Sequence, residues 1–212
     1  MISMSSFTLN KRLFLASFLC LSLNYCANIP RSNLQQTKSP IAKIALVNVQ
    51  DSDFHQINAT FQVKSDKATT FKVISNLSTT KQWLPEVASI QTLKIYDFNN
   101  FLLRTVLDSP WPFKQRETIT CVSTIFDEKT THIDIKSCTK RYPVNESYVR
   151  VEHLKSSWRI KQLTNDIVEI DYQTWLNPAG NVPAYFFNQA LFKQTKKSIS
   201  KLQTLINSTP SH

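Results

Sequence analysis

The hydrophobic period of the sequence changes from two to about 3.6 at Pro183, and that change limits the fold more than any single motif. Before it, apolar residues recur at every second position in short runs separated by polar turns. This is the mark of half-buried strands. After it, Phe187, Leu191, Thr195, Ile199, Leu202 and Ile206 fall near one stripe of a 3.6-residue period, with lysines on the other faces. Proline near a first helical position is favoured because its missing N–H would have no partner there. No proline or glycine follows until Pro210, so a helix of more than twenty residues is expected. Strands at short intervals with tight links imply an antiparallel sheet, and the chain as a whole is expected to be α+β.

Taken in order, a strand is expected over 43–49, a turn over 51–54 and a second strand over 56–64. In that strand Ile57, Ala59, Phe61 and Val63 share one face. Asp66 is a candidate N-cap for a helix over 67–77, with Ala68, Phe71, Ile74 and Leu77 as its buried stripe. A helical turn over 79–82 precedes Trp83-Leu84-Pro85. Strands over 89–96 and 101–107 are joined through Asp97-Phe98-Asn99-Asn100, where the asparagines supply turn chemistry. Ser109-Pro110-Trp111-Pro112-Phe113 then forms a stiff corner leading to Arg116-Glu117, because proline can neither donate to a ladder nor leave its predecessor unrestricted. Further strands are expected over 117–126, 131–138, 146–155, 157–163 and 167–176. Asn177-Pro178-Ala179-Gly180 closes the sheet. A curved sheet gripping one amphipathic helix leaves room for a hydrophobic ligand between them.

Composition narrows the function. The 212 residues suffice for one domain with a substantial core, and 42% are hydrophobic. Gly180 is the only glycine, which excludes the glycine-rich loops that cradle phosphates in nucleotide and dinucleotide sites. No cofactor is expected. Four dispersed histidines and widely separated cysteines offer no metal cluster. No serine, histidine or aspartate stands in a nucleophile setting. The formal charge of +10 favours transient contact with an anionic membrane surface. Nucleic acid is not expected as a partner: Lys193, Lys196, Lys197 and Lys201 spread around a helix without an aromatic platform. The protein is expected to be a monomer.

The N-terminus reads as an export signal over 1–27. Lys11-Arg12 precede an apolar run of eleven residues, Leu13 to Leu23, too short to span a bilayer comfortably. Cleavage before Cys26, with lipidation, cleavage after Ala27, and an uncleaved anchor all fit. A linker over 28–45 then leads to a domain over 46–208, exported to the periplasm, secreted, or held at the membrane by its N-terminus. Cys121 and Cys138, each in an expected strand, are either a disulfide or two small buried residues.

The series Trp83…Pro85, Pro110-Trp111-Pro112-Phe113 with Arg116-Glu117, Val149-Arg150, Trp158, Tyr172, Asn177-Pro178-Ala179-Gly180-Asn181-Val182-Pro183 and Asn188 resembles START (StAR-related lipid-transfer) domains of the helix-grip, Bet v 1-like superfamily. The resemblance runs from about Ile57 to Leu205. It departs from the family pattern in Glu117 for Asp, and in Asn177 and Ala179 for Asp and Gly. It implies a helix-grip fold, a curved antiparallel sheet wrapped around the C-terminal helix with an internal hydrophobic cavity. Loops over 97–100 and 110–114 would flank its mouth. The implied function is non-enzymatic binding of a lipid or other hydrophobic small molecule, for transport, sequestration or sensing in a bacterial envelope. The alternative is a cyclase or aromatase on the same fold, with His132 or His153 as acid or base beside Tyr172. Cavity-wall candidates are Phe71, Trp83, Arg104, Arg150, Tyr172, Phe187, Leu191 and Thr195. Arg150 would either pair with Glu152 at the surface or enter the cavity. No acidic partner is expected near Arg104, and Val122 takes the place of the basic residue that sterol-binding members put in their cavity.

Overall fold

The computed structural model describes residues 41–109 and 113–210. The export signal and the Pro110-Trp111-Pro112 corner lie outside them. The strands are β1 (Lys43–Val49), β2 (Ser52–Lys64), β3 (Val87–Ile95), β4 (Asn100–Leu107), β5 (Arg116–Phe126), β6 (Thr130–Ser137), β7 (Val149–Val151), β8 (His153–Gln162) and β9 (Ile167–Asn177). The helices are α1 (Lys67–Ser75), α2 (Thr80–Trp83) and α3 (Ala184–Ser208). None of the described helices is long and apolar enough to cross a membrane.

The strands form one curved sheet in the order β1-β2-β9-β8-β6-β5-β4-β3. Every pairing along that path is antiparallel. β7 stands off the path and runs parallel to the start of β5. It takes the flank that β6 leaves open, since β6 pairs with β5 only from Thr120 onward. This corrects the expectation of one strand over 146–155. Glu152 separates β7 from β8 because the two halves of that stretch answer to different partners.

Local chemistry sets the other boundaries. Asp66 caps α1 by accepting from the Thr69 N–H at 2.8 Å and the Thr69 hydroxyl at 2.7 Å. The helix stops at Ser75, earlier than the expected 77, because Asn76 turns extended and its Oδ1 accepts from the N–H and hydroxyl of Ser78. The turn expected over 51–54 shrinks to Gln50-Asp51, and Ser52 already belongs to β2. Asp51 takes a positive φ of 58°, a conformation that aspartate tolerates better than most residues. α3 begins after Pro183, as the change of period requires, and runs for 25 residues.

The core lies between one face of the sheet and α3. Phe61, Val63, Ile160, Val168 and Ile170 from the strands meet Ile199, Leu202 and Ile206 from the helix. Val73 and Ile74 of α1 and Trp83 of α2 close it at the side.

Candidate functional site

α3 is fastened along β2 by amide side chains. Asn188 accepts from the His55 N–H at 3.0 Å and donates to the Asp53 carbonyl at 2.9 Å. Gln203 donates to the Gln62 carbonyl at 3.0 Å, and Asn207 accepts from the Lys64 N–H at 2.8 Å. Pairing with β1 reaches only to Thr60, so the last two contacts satisfy backbone groups that the ladder leaves behind. The helix therefore follows β2 in one direction, its N-terminal half over the start of that strand and its C-terminal half over the end.

Cover by the helix is uneven. Under its C-terminal half, Ile160, Val168 and Ile170 are fully buried. Under its N-terminal half burial is mixed: Tyr172 and Leu176 on β9, Ser156 and Leu154 on β8, and Ile135 and Ser137 on β6 are half-exposed, while Trp158 and Thr174 on the same face are buried. Leu191 and Phe187 of α3 are half-exposed too. The region between sheet and α3 is thus a wedge in its burial only, tightly buried at one end and partly exposed at the other.

The wedge holds most of the residues read from the sequence as cavity wall. Tyr172 lies at its centre, stacked on Trp158 with ring centroids 4.2 Å apart, and Trp158 meets the edge of Trp83 at 5.9 Å. Burial holds the Tyr172 phenol above its ordinary range, against the lowering effect of hydrogen bonds to Thr174 and Ser156. Leu191 packs against the core from the helix, and Thr195 is buried. Phe187 meets Phe54 edge-on at 5.3 Å. Phe71 stands apart on α1, packed against Phe126 at 5.0 Å.

Arg104 and Arg150 sit elsewhere. Strand alternation puts Leu103 and Val122 on the core face and Arg104, Glu117 and Cys121 on the opposite one. There Glu117, fully buried, accepts from Arg104 through one oxygen and from Arg150 through the other, the latter at 2.7 and 3.0 Å. Two expectations are corrected: Arg104 has an acidic partner, and Arg150 pairs with Glu117, not Glu152. Arg150 also donates to the carbonyls of Thr139, Tyr142 and Pro143. Cys121 and Cys138 form a disulfide, with Cα atoms 5.6 Å apart. Together these bonds strap residues 138–150 across the outer face of β5, which accounts for Ile119 on that face being fully buried. Glu117 was legible in principle. In a hairpin centred on the proline corner it lies diagonally across from Arg104, within reach of a long side chain.

The histidines do not converge. His132 flanks core residue Ile133 and so faces outward, while His153 is exposed. Arg116 donates to the Pro178 carbonyl at 2.9 Å and to the Ser109 hydroxyl at 2.7 Å, tying the end of the corner to the turn before α3. Among the described residues, no cluster of His, Cys, Asp or Glu could hold a metal ion.

The sequence model of the START domain matches residues 34–205. An uncharacterized protein of Pseudomonas aeruginosa is 24% identical over 147 residues, covering 69% of this chain and 72% of that one. The solved structure of a STAR-related lipid transfer protein from Xanthomonas axonopodis superposes with a TM-score of 0.72 at 19% identity, covering 81% of this chain and 96% of that one. Human STARD10 does so with a TM-score of 0.71 at 18% identity, covering 80% and 70%. At these identities the structural likeness is one of fold.

Proposed function

Because the chain belongs to the START domain family, we propose that it binds a lipid or other hydrophobic small molecule between its sheet and α3, without catalysing a reaction. The observation that carries this reading is the uneven cover of the helix. An aromatic and aliphatic surface at Tyr172, Leu176, Ile135 and Leu191 is only half-buried beside the buried Trp158, where a finished core would be sealed. An apolar wall there stands in for the acyl environment of a bilayer and spares the lipid the cost of exposure to water, about 0.8 kcal/mol per methylene. Trp83, Tyr172, Phe187, Leu191 and Thr195 form the wall, with Phe71 at its margin. Arg104 and Arg150 are left out because Glu117 engages both. The outward histidines speak against the cyclase reading.

The protein acts outside the cytoplasm as a monomer, moving, holding or sensing its ligand. The Cys121–Cys138 disulfide supports an oxidising compartment. Tyr185 and Phe186, both largely exposed on the first turn of α3, together with the lysines further along the helix, suit transient contact with an anionic membrane surface. Native mass spectrometry of protein purified under mild conditions should show an adduct that organic extraction removes. Repeated failure to take up any member of a broad lipid panel would sink the proposal.

A further inference from the structure

Antiparallel register puts the β3–β4, β5–β6 and β8–β9 turns at one end of the sheet, the end where β2 finishes at Lys64. Ile95, Tyr96, Phe98, Ile125, Phe126 and Leu163 are all exposed there, Phe98 at 86%. Three rings make a continuous ridge: Phe98 lies 6.2 Å from Phe126, which meets the edge of Phe71 at 5.0 Å. The turns that carry the ridge are braced. The Asn99 carbonyl accepts from the Thr124 N–H at 3.0 Å, and Lys67 Nζ donates to the Asp127 and Glu128 carbonyls at 2.6 and 2.8 Å. Single exposed apolar residues are ordinary, but a braced ridge of them marks a surface that something covers.

Chain path and charge say what covers it. β1 starts at Lys43, opposite Thr60, so the chain enters the sheet from this same end, after residues 1–40 with their apolar run Leu13 to Leu23. Lys94 and Arg141 lie over the Tyr96 ring at 5.0 and 5.5 Å, and Lys129 is exposed on the β5–β6 turn. Of the acids in the three turns, Asp97, Asp127 and Asp166 accept hydrogen bonds from within their own turns, while Glu128 is exposed. An aromatic ridge with cations beside it suits the headgroup layer of a lipid surface, where rings sit at the boundary and cationic side chains reach phosphates. We propose that this end of the domain is a membrane-docking surface, seated on anionic phospholipid through Phe98, Ile125 and Phe126. It is distinct from the exposed first turn of α3, which lies over the start of β2. The 13 residues of β2, about 40 Å of strand, separate the two ends, so one flat membrane cannot touch both. Docked by its turns, the domain holds Tyr185, Phe186 and the partly exposed end of the wedge away from that membrane, where a second surface can reach them. Docking of this kind does not depend on what the domain binds.

The test is hydrogen exchange of the full chain, read by mass spectrometry in buffer and on vesicles of equimolar dioleoylphosphatidylcholine and dioleoylphosphatidylglycerol. On vesicles, exchange should slow about fivefold or more over 96–99 and 126–129. Tyr185→Ser/Phe186→Ser should leave that slowing in place. Phe98→Ser/Ile125→Ser should abolish it, with protection of β8 and β9 unchanged. If circular dichroism shows this double variant unfolded, Phe98→Ser alone should weaken the same slowing. Slowing confined to 184–187, slowing at neither end, or slowing unaltered in a folded Phe98 variant would overturn the inference. So would slowing that rises with protein concentration in the absence of vesicles, which would assign the ridge to a second copy of the chain.

Discussion

Glu117 holds two cations at once, and its loss should be felt more than that of any other charged residue. With its carboxylate fully buried and the Arg104 and Arg150 side chains only 16% and 8% exposed, removing it leaves two guanidinium groups facing a void. Glu117→Ala should lower unfolding free energy by about 3–5 kcal/mol, measured by urea denaturation. A loss below 1 kcal/mol would show the cluster to be ornamental. Asp66 acts at the other end of the charge scale. Partial burial pushes its carboxyl up, but hydrogen bonds from the Thr69 N–H and hydroxyl outweigh this and set it below the usual range. Its folded value is therefore the lower one. The cap contributes fully above the unfolded carboxylate range, near about 3.9, and fades as pH falls through the folded value. Asp66→Ala should cost about 1 kcal/mol at pH 7 and progressively less in acid, in a comparison of pH-dependent unfolding curves.

At the scale of elements, α3 is both lid and strut. Its C-terminal half is fixed by Ile199, Leu202 and Ile206, all buried, and by Gln203 against Gln62. Its N-terminal half, over the half-open part of the wedge, is tied to β2 by Asn188 alone among the amide contacts to Asp53 and His55. Asn188→Ala should leave the His55 N–H and Asp53 carbonyl short of partners, at about 1–3 kcal/mol. The effect should be local. Hydrogen exchange should rise in the first turns of α3 and the start of β2, with protection near Leu202 unchanged. Uniform loss of protection along the whole helix would show that α3 opens as one unit.

For the molecule as a whole, the sheet serves two masters. One face receives α3; the other is strapped at β5 by residues 138–150, through the disulfide and Arg150. Strand alternation places Arg104 and Glu117 on that strapped face. A cross-link closing a loop of this size contributes about 2–4 kcal/mol. The double variant Cys121→Ser/Cys138→Ser should therefore lower Tm by roughly 5–15 °C in differential scanning calorimetry. Ligand uptake at 25 °C should persist, since the wedge lies on the opposite face.

The succession of elements could be read from the sequence because periodicity and capping are local. Alternation in 56–64, the Asp66 cap and the change of period at Pro183 each depend on neighbours within a few residues, and each stands in the structure. The Trp83, Arg116-Glu117, Val149-Arg150 and Asn188 series was enough to indicate the family. The division of strands into faces was not readable to the same degree, because a one-residue slip in register sends every side chain to the other side. Register is settled by partners as distant as Ser156 and Thr174 or Arg104 and Glu117. Only the assembled sheet could turn two candidate cavity arginines outward and break residues 146–155 into two strands.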